Sequence, residues 1–417
     1  MKRKYLSESH GKLDVVIVGS WMTRNYGGVL TGYALYRTVR SLGYDAVLVD
    51  HLGWYGSGLS GDTVLDFIDS HKIRVVAGWS AAAQRRLAAS AHTILVGSDQ
   101  LWNPETVNNL FFFLDWAGAA NRKISYATSL GKNNKERFLD EYLEKYRKYL
   151  RRFDAISVRE AQSVPFMKEL FGVQACWQLD PVFLLYAEEW RKLAEKENDR
   201  LPERYLLAYI LDPTQEKCGI SIELARQQKL TDVIFVFDIK AKTPPMNIPA
   251  GVNVYVMHPK IPLWLRLYAN ASRVVTDSFH GSCFSLIFER QFISIGNASR
   301  GIDRFVSLMQ QFGLKNHLMS WSKELEWPSE ELDYASITPR MEKLREESLA
   351  WLKTQLASQK RSEELEMLNR EVEQTLPPER PFISEMKRYF YARHPKPFLF
   401  ARRQKHKIIK LWNSFFV

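Results

Sequence analysis

Residues 13–50, LDVVIVGSWMTRNYGGVLTGYALYRTVRSLGYDAVLVD, read as strand, glycine turn, helix and second strand. Asp14–Gly19 is a near-continuous apolar run, the pattern of a strand buried on both faces. Arg24-Asn25-Tyr26-Gly27-Gly28 is the turn, and Val29–Leu42 is helical. Gly43-Tyr44 ends the helix before a strand at Asp45–Asp50. Such a unit joins parallel strands by a right-handed crossover, so the chain opens as an α/β fold.

The same alternation continues outward. Thr93–Val96, Lys123–Ala127 and Ala155–Val158 read as short buried strands. Helices are expected at Leu65–Ser70, Ser80–Ser90, Asn134–Tyr149 and Ala161–Leu170. After Leu179-Asp180-Pro181 and a charged helix near Glu188–Asn198, a second series begins. Its strands are Tyr205–Ile210, Val233–Phe237, Val252–Val256 and Arg273–Thr276, and its clearest helices are Pro262–Ala269 and Cys283–Phe288. Two such series predict two Rossmann-like domains, 1–190 and 191–355, facing one another across a cleft. Residues 339–379 read as a polar, charge-rich helical stretch, with Leu376-Pro377-Pro378 as a break before the tail, and 356–417 as a helical basic-aromatic extension.

Composition narrows the function classes. At 417 residues with 46% hydrophobic content, the chain is long enough for two cores and is not a disordered protein. Its three cysteines are scattered, with no CxxC pair or zinc spacing, so no disulfide framework or structural metal is expected and a reducing cytosol fits. No apolar signal segment and no eighteen-residue apolar run is visible, so neither a signal peptide nor a membrane span is expected. Net charge is +11, but residues 381–417 hold nine Lys/Arg against Glu385 alone and supply +8 of it. A nucleic-acid binder more often spreads cations over its folded face, so no nucleic-acid partner is expected.

Within RVVTDSFHGSCFSLIFER, residues 273–290, a buried strand gives way to an apolar helix. Asp277-Ser278-Phe279-His280-Gly281 lies between them. Helix N-termini and strand carboxyl ends are where anions and ligands settle. His280 is therefore placed for proton transfer beside an anion, although a simple capping role fits the local sequence as well.

Four segments, taken in order, carry a resemblance: Asn25-Tyr26-Gly27-Gly28 with Thr31–Leu35, Val96–Pro104, Ile156–Glu160, and Thr276–Gly281. Ser125–Ser129, Leu179-Asp180-Pro181 and Ser299–Phe305 support it. The set resembles the polysaccharide pyruvyl transferase family over roughly 14–355. The resemblance implies a fold like the GT-B glycosyltransferases and transfer of pyruvate from phosphoenolpyruvate to a glycan as a cyclic ketal, with no metal and no cofactor beyond that donor. It implies acceptors among cell-surface polysaccharides and their lipid-linked precursors. Some relatives carry an arginine two residues before the motif histidine, where this chain has Ser278. Two domains of this kind do not by themselves settle the chemistry, so a nucleotide-sugar glycosyltransferase and a non-catalytic glycan-binding protein stand as alternatives.

On that resemblance His280 is the expected acid–base. Arg159, Arg300, Arg304, Ser278 and Gly281 are the donor-binding candidates, with Arg24 a weaker cation. A salt bridge to Glu160 is the competing role for Arg159, and interdomain ion pairs are the competing roles for Arg300 and Arg304. Asn25, Gly27 and Gly28 are expected to offer polar groups to donor or acceptor, or else to form a turn needed only for folding. Asp99 and Gln100 suit sugar hydroxyls. Trp102 suits a sugar face or a place in the core. Cys283 reads as helix packing rather than a nucleophile. Residues 385–417 interleave cations with aromatic rings, a composition suited to an anionic membrane surface or to packing on protein. A cytoplasmic enzyme, peripheral on the inner membrane face, is the expectation.

Overall fold

The structure is a computed structural model, describing residues 11–21, 25–51, 62–78, 80–104, 109–138, 140–194, 200–238, 241–297, 300–359 and 361–375. Arg24 and the basic-aromatic residues 376–417 lie outside the described residues.

Seven parallel strands form the first sheet: β1 Leu13–Val18, β2 Ala46–Asp50, β3 Val75–Ala77, β4 Ala91–Asp99, β5 Arg122–Thr128, β6 Ala155–Val158 and β7 Cys176–Trp177. Their order is β3-β2-β1-β4-β5-β6-β7. Six more form the second: β8 Tyr205–Ile210, β9 Asp232–Phe237, β10 Asn253–Met257, β11 Arg273–Thr276, β12 Gln291–Ile295 and β13 Leu318–Met319, in the order β10-β9-β8-β11-β12-β13. Both are doubly wound sheets in the Rossmann order, so the chain has the expected α/β architecture of two Rossmann-like domains facing a cleft. The register in the first sheet, Ile17 against Leu48 and Leu95, aligns apolar side chains of equal reach across three strands.

Local sequence sets where helices begin and end. Asn25 caps the helix Tyr26–Ser41 by accepting from the N–H groups of Gly27 and Gly28. Gly43, at φ +93°, stops it in the left-handed conformation that other residues adopt at a cost. The helix therefore starts three residues before the expected Val29 and takes in both glycines.

One apolar core runs through both domains. Tyr26 of the first stacks on Trp264 of the second, with centroids 5.3 Å apart, and its hydroxyl donates to the Pro259 carbonyl at 2.6 Å. Trp190, in the helix Ala187–Ala194, meets Phe284 edge-on at 5.1 Å and Tyr33 at 5.9 Å. The chain then returns. In the helix Tyr334–Ala357, Arg345 donates to the Phe183 carbonyl and Ser348 accepts from the Leu179 N–H. Helix 334–357 ends well before Pro377, and Ser362 caps a separate helix, Glu363–Gln374. This last helix docks on the first domain. Arg361 forks onto Asp154 and onto the Ala119 and Asn121 carbonyls, and Asn369 pairs with the buried Arg152. Among the described residues no helix is long and apolar enough to cross a membrane.

Candidate active site

In an open parallel sheet the crossovers change side between the first and fourth strands, and the loops there part into a crevice. The two crevices, β1/β4 and β8/β11, face each other around a cavity of about 280 Å³. Ser20, Asn25, Asp99 and Gln100 line it from the first domain. Leu211, Ser278, Phe279, His280, Arg300 and Arg304 line it from the second.

The helix Phe279–Ile287 starts directly after β11, four residues before the expected Cys283, because Ser278 caps it by accepting from the Gly281 N–H. His280 thus sits in the first turn, 5% exposed. Its Nε2 lies 2.9 Å from Thr31 Oγ1 and 3.6 Å from Asp180 Oδ2, both from the other domain. Gly27 lies against the imidazole: a Cβ there would overlap Nδ1 and Cγ. Glycine is required at 27 for this close approach. The expectation that Gly27 and Gly28 offer N–H groups to a ligand is corrected, since Asn25 Oδ1 takes both, at 2.9 and 3.4 Å. Gly281 likewise serves packing, its missing Cβ leaving room for Thr276 and the Tyr268 hydroxyl.

Asp180 is the hub that sequence reading passed over, noting it only as part of a motif. Its Oδ1 accepts from Thr31 Oγ1 at 3.4 Å and from the Val182 N–H at 3.1 Å. Oδ2 accepts from Arg159 at 2.8 Å, and Ser98 Oγ, which donates to the Ala127 carbonyl at 2.6 Å, lies 3.5 Å from it. Burial alone would favour the neutral acid. The hydrogen bond and charge of His280, joined by those of Arg159, outweigh it and hold the carboxyl well below the usual range.

The three candidate arginines differ in partner. Arg159 is surrounded by carboxylates, with Asp180 at 2.8 Å, Glu160 at 3.2 Å and Asp99 at 3.4 Å, and it stacks over Phe279 at 4.4 Å. Burial disfavours its charge, but those three anions more than restore it. It stands behind the cavity wall, which corrects its assignment as a donor-binding cation: its charge is already matched. Arg300 lines the cavity but is clamped by both oxygens of Asp212, at 2.6 and 2.8 Å, while its carbonyl accepts from Gln100. Arg304 is different. It is 8% exposed, it rests on the rings of Phe279 and Phe305, and among the described residues it makes no ion pair. Among the described residues its Nε has no hydrogen-bond partner. Burial, then the neighbouring Arg159, bring its pKa down to about 10, so it stays charged at neutral pH.

Asp99 reaches the cavity from a left-handed backbone, φ +74°, a conformation sparsely populated outside glycine and frequent at functional sites. Burial opposes its charge, but Arg159, His280 and Arg304 prevail and lower its pKa. Trp102, in contrast, is wholly buried, stacked on Phe113 and donating to the Phe112 carbonyl. Its expected role as a sugar platform is corrected, because the indole fills the core under β4. Burial likewise pushes the Cys283 thiol far up, fitting packing rather than nucleophilic chemistry. The cavity therefore combines an imidazole, a surplus guanidinium and a fringe of polar groups, a set able to hold a small anion while a proton moves.

Residues 25–299, more than half of the chain, match the family described as polysaccharide pyruvyl transferase. No curated protein gives a significant match. Among solved structures, the chain is similar to UGT89C1 of Arabidopsis thaliana complexed with UDP-L-rhamnose, at 9% identity and TM-score 0.48, covering 84% of this chain and 100% of that one. It is also similar to the UDP-GlcNAc 2-epimerase of Methanocaldococcus jannaschii, at 10% identity and TM-score 0.47, covering 87% and 97%. The glycosyltransferase SnogD of Streptomyces nogalater gives 10% identity and TM-score 0.41, covering 83% and 99%.

Proposed function

Because this chain belongs to the polysaccharide pyruvyl transferase family, we propose that it moves the pyruvyl group of phosphoenolpyruvate onto two hydroxyls of one sugar, closing a cyclic ketal. The acceptor in this reading is a cell-surface polysaccharide or its lipid-linked precursor. One observation supports the reading: a single cavity is lined by the His280 imidazole and by an Arg304 guanidinium that makes no ion pair among the described residues.

Phosphoenolpyruvate brings a carboxylate and a phosphate, and a buried cation already stripped of water binds such a group strongly. Arg304 holds the donor, and Arg300 at the rim adds a second, partly neutralised cation. His280 gives a proton to the enol methylene, which becomes the methyl group and leaves an oxocarbenium-like carbon. A sugar hydroxyl adds to that carbon and loses its proton to the site, restoring the acid. The second hydroxyl then displaces phosphate, whose departing oxygen takes up the remaining proton. Asp99, Gln100 and Asn25, on the opposite wall, face the acceptor.

The basic-aromatic residues 385–417 are, in the same proposal, the part that meets an anionic membrane carrying the lipid-linked acceptor. Their composition supports it, each cation contributing about 1 kcal/mol near such a surface.

Incubation with phosphoenolpyruvate and a lipid-linked oligosaccharide is expected to raise the mass of the glycan by pyruvate less water, with equimolar phosphate release. His280→Asn should lower that rate by about 100-fold or more. Release of a nucleoside diphosphate from a sugar nucleotide, with no use of phosphoenolpyruvate, would replace this reading with glycosyl transfer. Glycan binding without turnover of either donor would favour a non-catalytic role.

A further inference from the structure

Two contacts bear on which nitrogen of His280 carries its permanent proton. The Thr31 hydroxyl lies 3.4 Å from Asp180 Oδ1, a carboxylate held ionised by its surroundings and able only to accept. A Thr31 hydrogen directed at Asp180 satisfies that acceptor. What the hydroxyl then presents to His280 Nε2, 2.9 Å away, is a lone pair. In that arrangement Nε2 is the N–H, and Asp180 Oδ2, 3.6 Å away, favours it with its charge from the same side. Among the described residues Nδ1 makes no hydrogen bond, and the ring edge that bears it packs against Gly27 beside the cavity-lining Asn25.

We infer that Thr31 and Asp180 are positioning residues for proton transfer. Together they lock His280 as the Nε2–H tautomer, so that Nδ1 is the atom that gives and takes the mobile proton. In the charged ring Nδ1–H is the donor. After delivery the ring is neutral, Nε2–H is retained by Thr31, and Nδ1 is a base ready for the hydroxyl proton. Neither residue touches the reacting atoms. Thr31 lies in the helix Tyr26–Ser41 and Asp180 just after β7, whereas His280 follows β11. The lock is thus built across the domain interface, and the histidine holds its working tautomer only while the two domains are docked.

This inference rests on His280 being the acid–base, and its test needs no substrate. The ¹⁵N spectrum of the full chain, with His280 signals identified by their loss in His280→Asn, is expected to show Nε2 protonated and Nδ1 bare when the ring is neutral. Thr31→Val should shift that population toward Nδ1–H, and Thr31→Ser should restore it. In turnover, Thr31→Val should lower kcat by about tenfold or more, leave donor KM within about twofold, and be rescued by Thr31→Ser. A wild-type His280 protonated on Nδ1 would overturn the inference, as would a Thr31→Val protein with wild-type tautomer and kcat. Absence of phosphoenolpyruvate turnover by the wild type would sink the functional reading alone, while the spectra would still decide the tautomer.

Discussion

Arg304 and Arg159 are both buried guanidinium groups, yet substitution should move them in opposite directions. Arg304 is charged without an ion pair among the described residues, a state that costs stability, so Arg304→Met is expected to leave the folding stability unchanged or raise it by as much as about 1–4 kcal/mol. The same change removes the anion receptor, and phosphoenolpyruvate affinity should fall by roughly 10- to 100-fold, the worth of a charge-assisted hydrogen bond. Arg159→Met would instead strand Asp180, Glu160 and Asp99 and cost about 3–5 kcal/mol. Differential scanning and titration calorimetry on the two variants separate the roles; equal loss of stability in both would overturn them. Both arginines stood out in the sequence as cations near strand ends or in loops. What distinguishes them is the company of Asp99 and Asp180, fixed by sheet order rather than by neighbours in the chain. Thr31 stood out only as part of a motif, and its role was hidden for the same reason: a threonine among apolar helical residues gives no hint that its hydroxyl faces another domain.

At the scale of elements, strands with uninterrupted apolar runs were plain in the sequence, and Tyr205–Ile210, Ala155–Val158 and Arg273–Thr276 have their expected limits. β3, β12 and the helix Gln215–Gln227 were not seen, and β7 and β13 span only two residues, too few for any periodicity. β12, QFISI, mixes polar with apolar residues, and its partner β11 supplies the reason it is a strand. The helix Glu363–Gln374 lies within the stretch 339–379 read as polar and helical, but its docking on the first domain was not legible, because its anchors, Asn369 and Arg361, are polar. Beneath it Lys123 is buried, donating to the Gly118 and Asn121 carbonyls at 2.8 Å each. Burial, then Arg152 and Arg361, bring its pKa down to about 6. An unfolded lysine holds its proton to about pH 10.4, so between these values the unfolded chain binds more protons and folding is favoured as pH rises. The melting temperature should therefore climb from pH 6 towards pH 9 with a slope that Lys123→Met flattens. An identical slope in the variant would assign the effect to other groups.

The whole molecule divides its charge unevenly, with +8 of the net +11 in residues 381–417. Full-length protein is expected to co-sediment with vesicles containing anionic lipid, losing that binding at high salt, whereas a 1–375 protein should stay in the supernatant. Equal recovery of both with the vesicles would count against the tail as the lipid-facing part. The fold has a mechanical consequence of its own. Because the helix Glu363–Gln374 goes back to the first sheet, the second sheet is an insertion whose two covalent tethers both lead to the same body. A unit hung from two tethers swings readily about the line joining them and resists twisting around any other axis. Any opening of the cleft is therefore expected to follow that one swing, like a door on two pins, and to work against the apolar core that the two domains share.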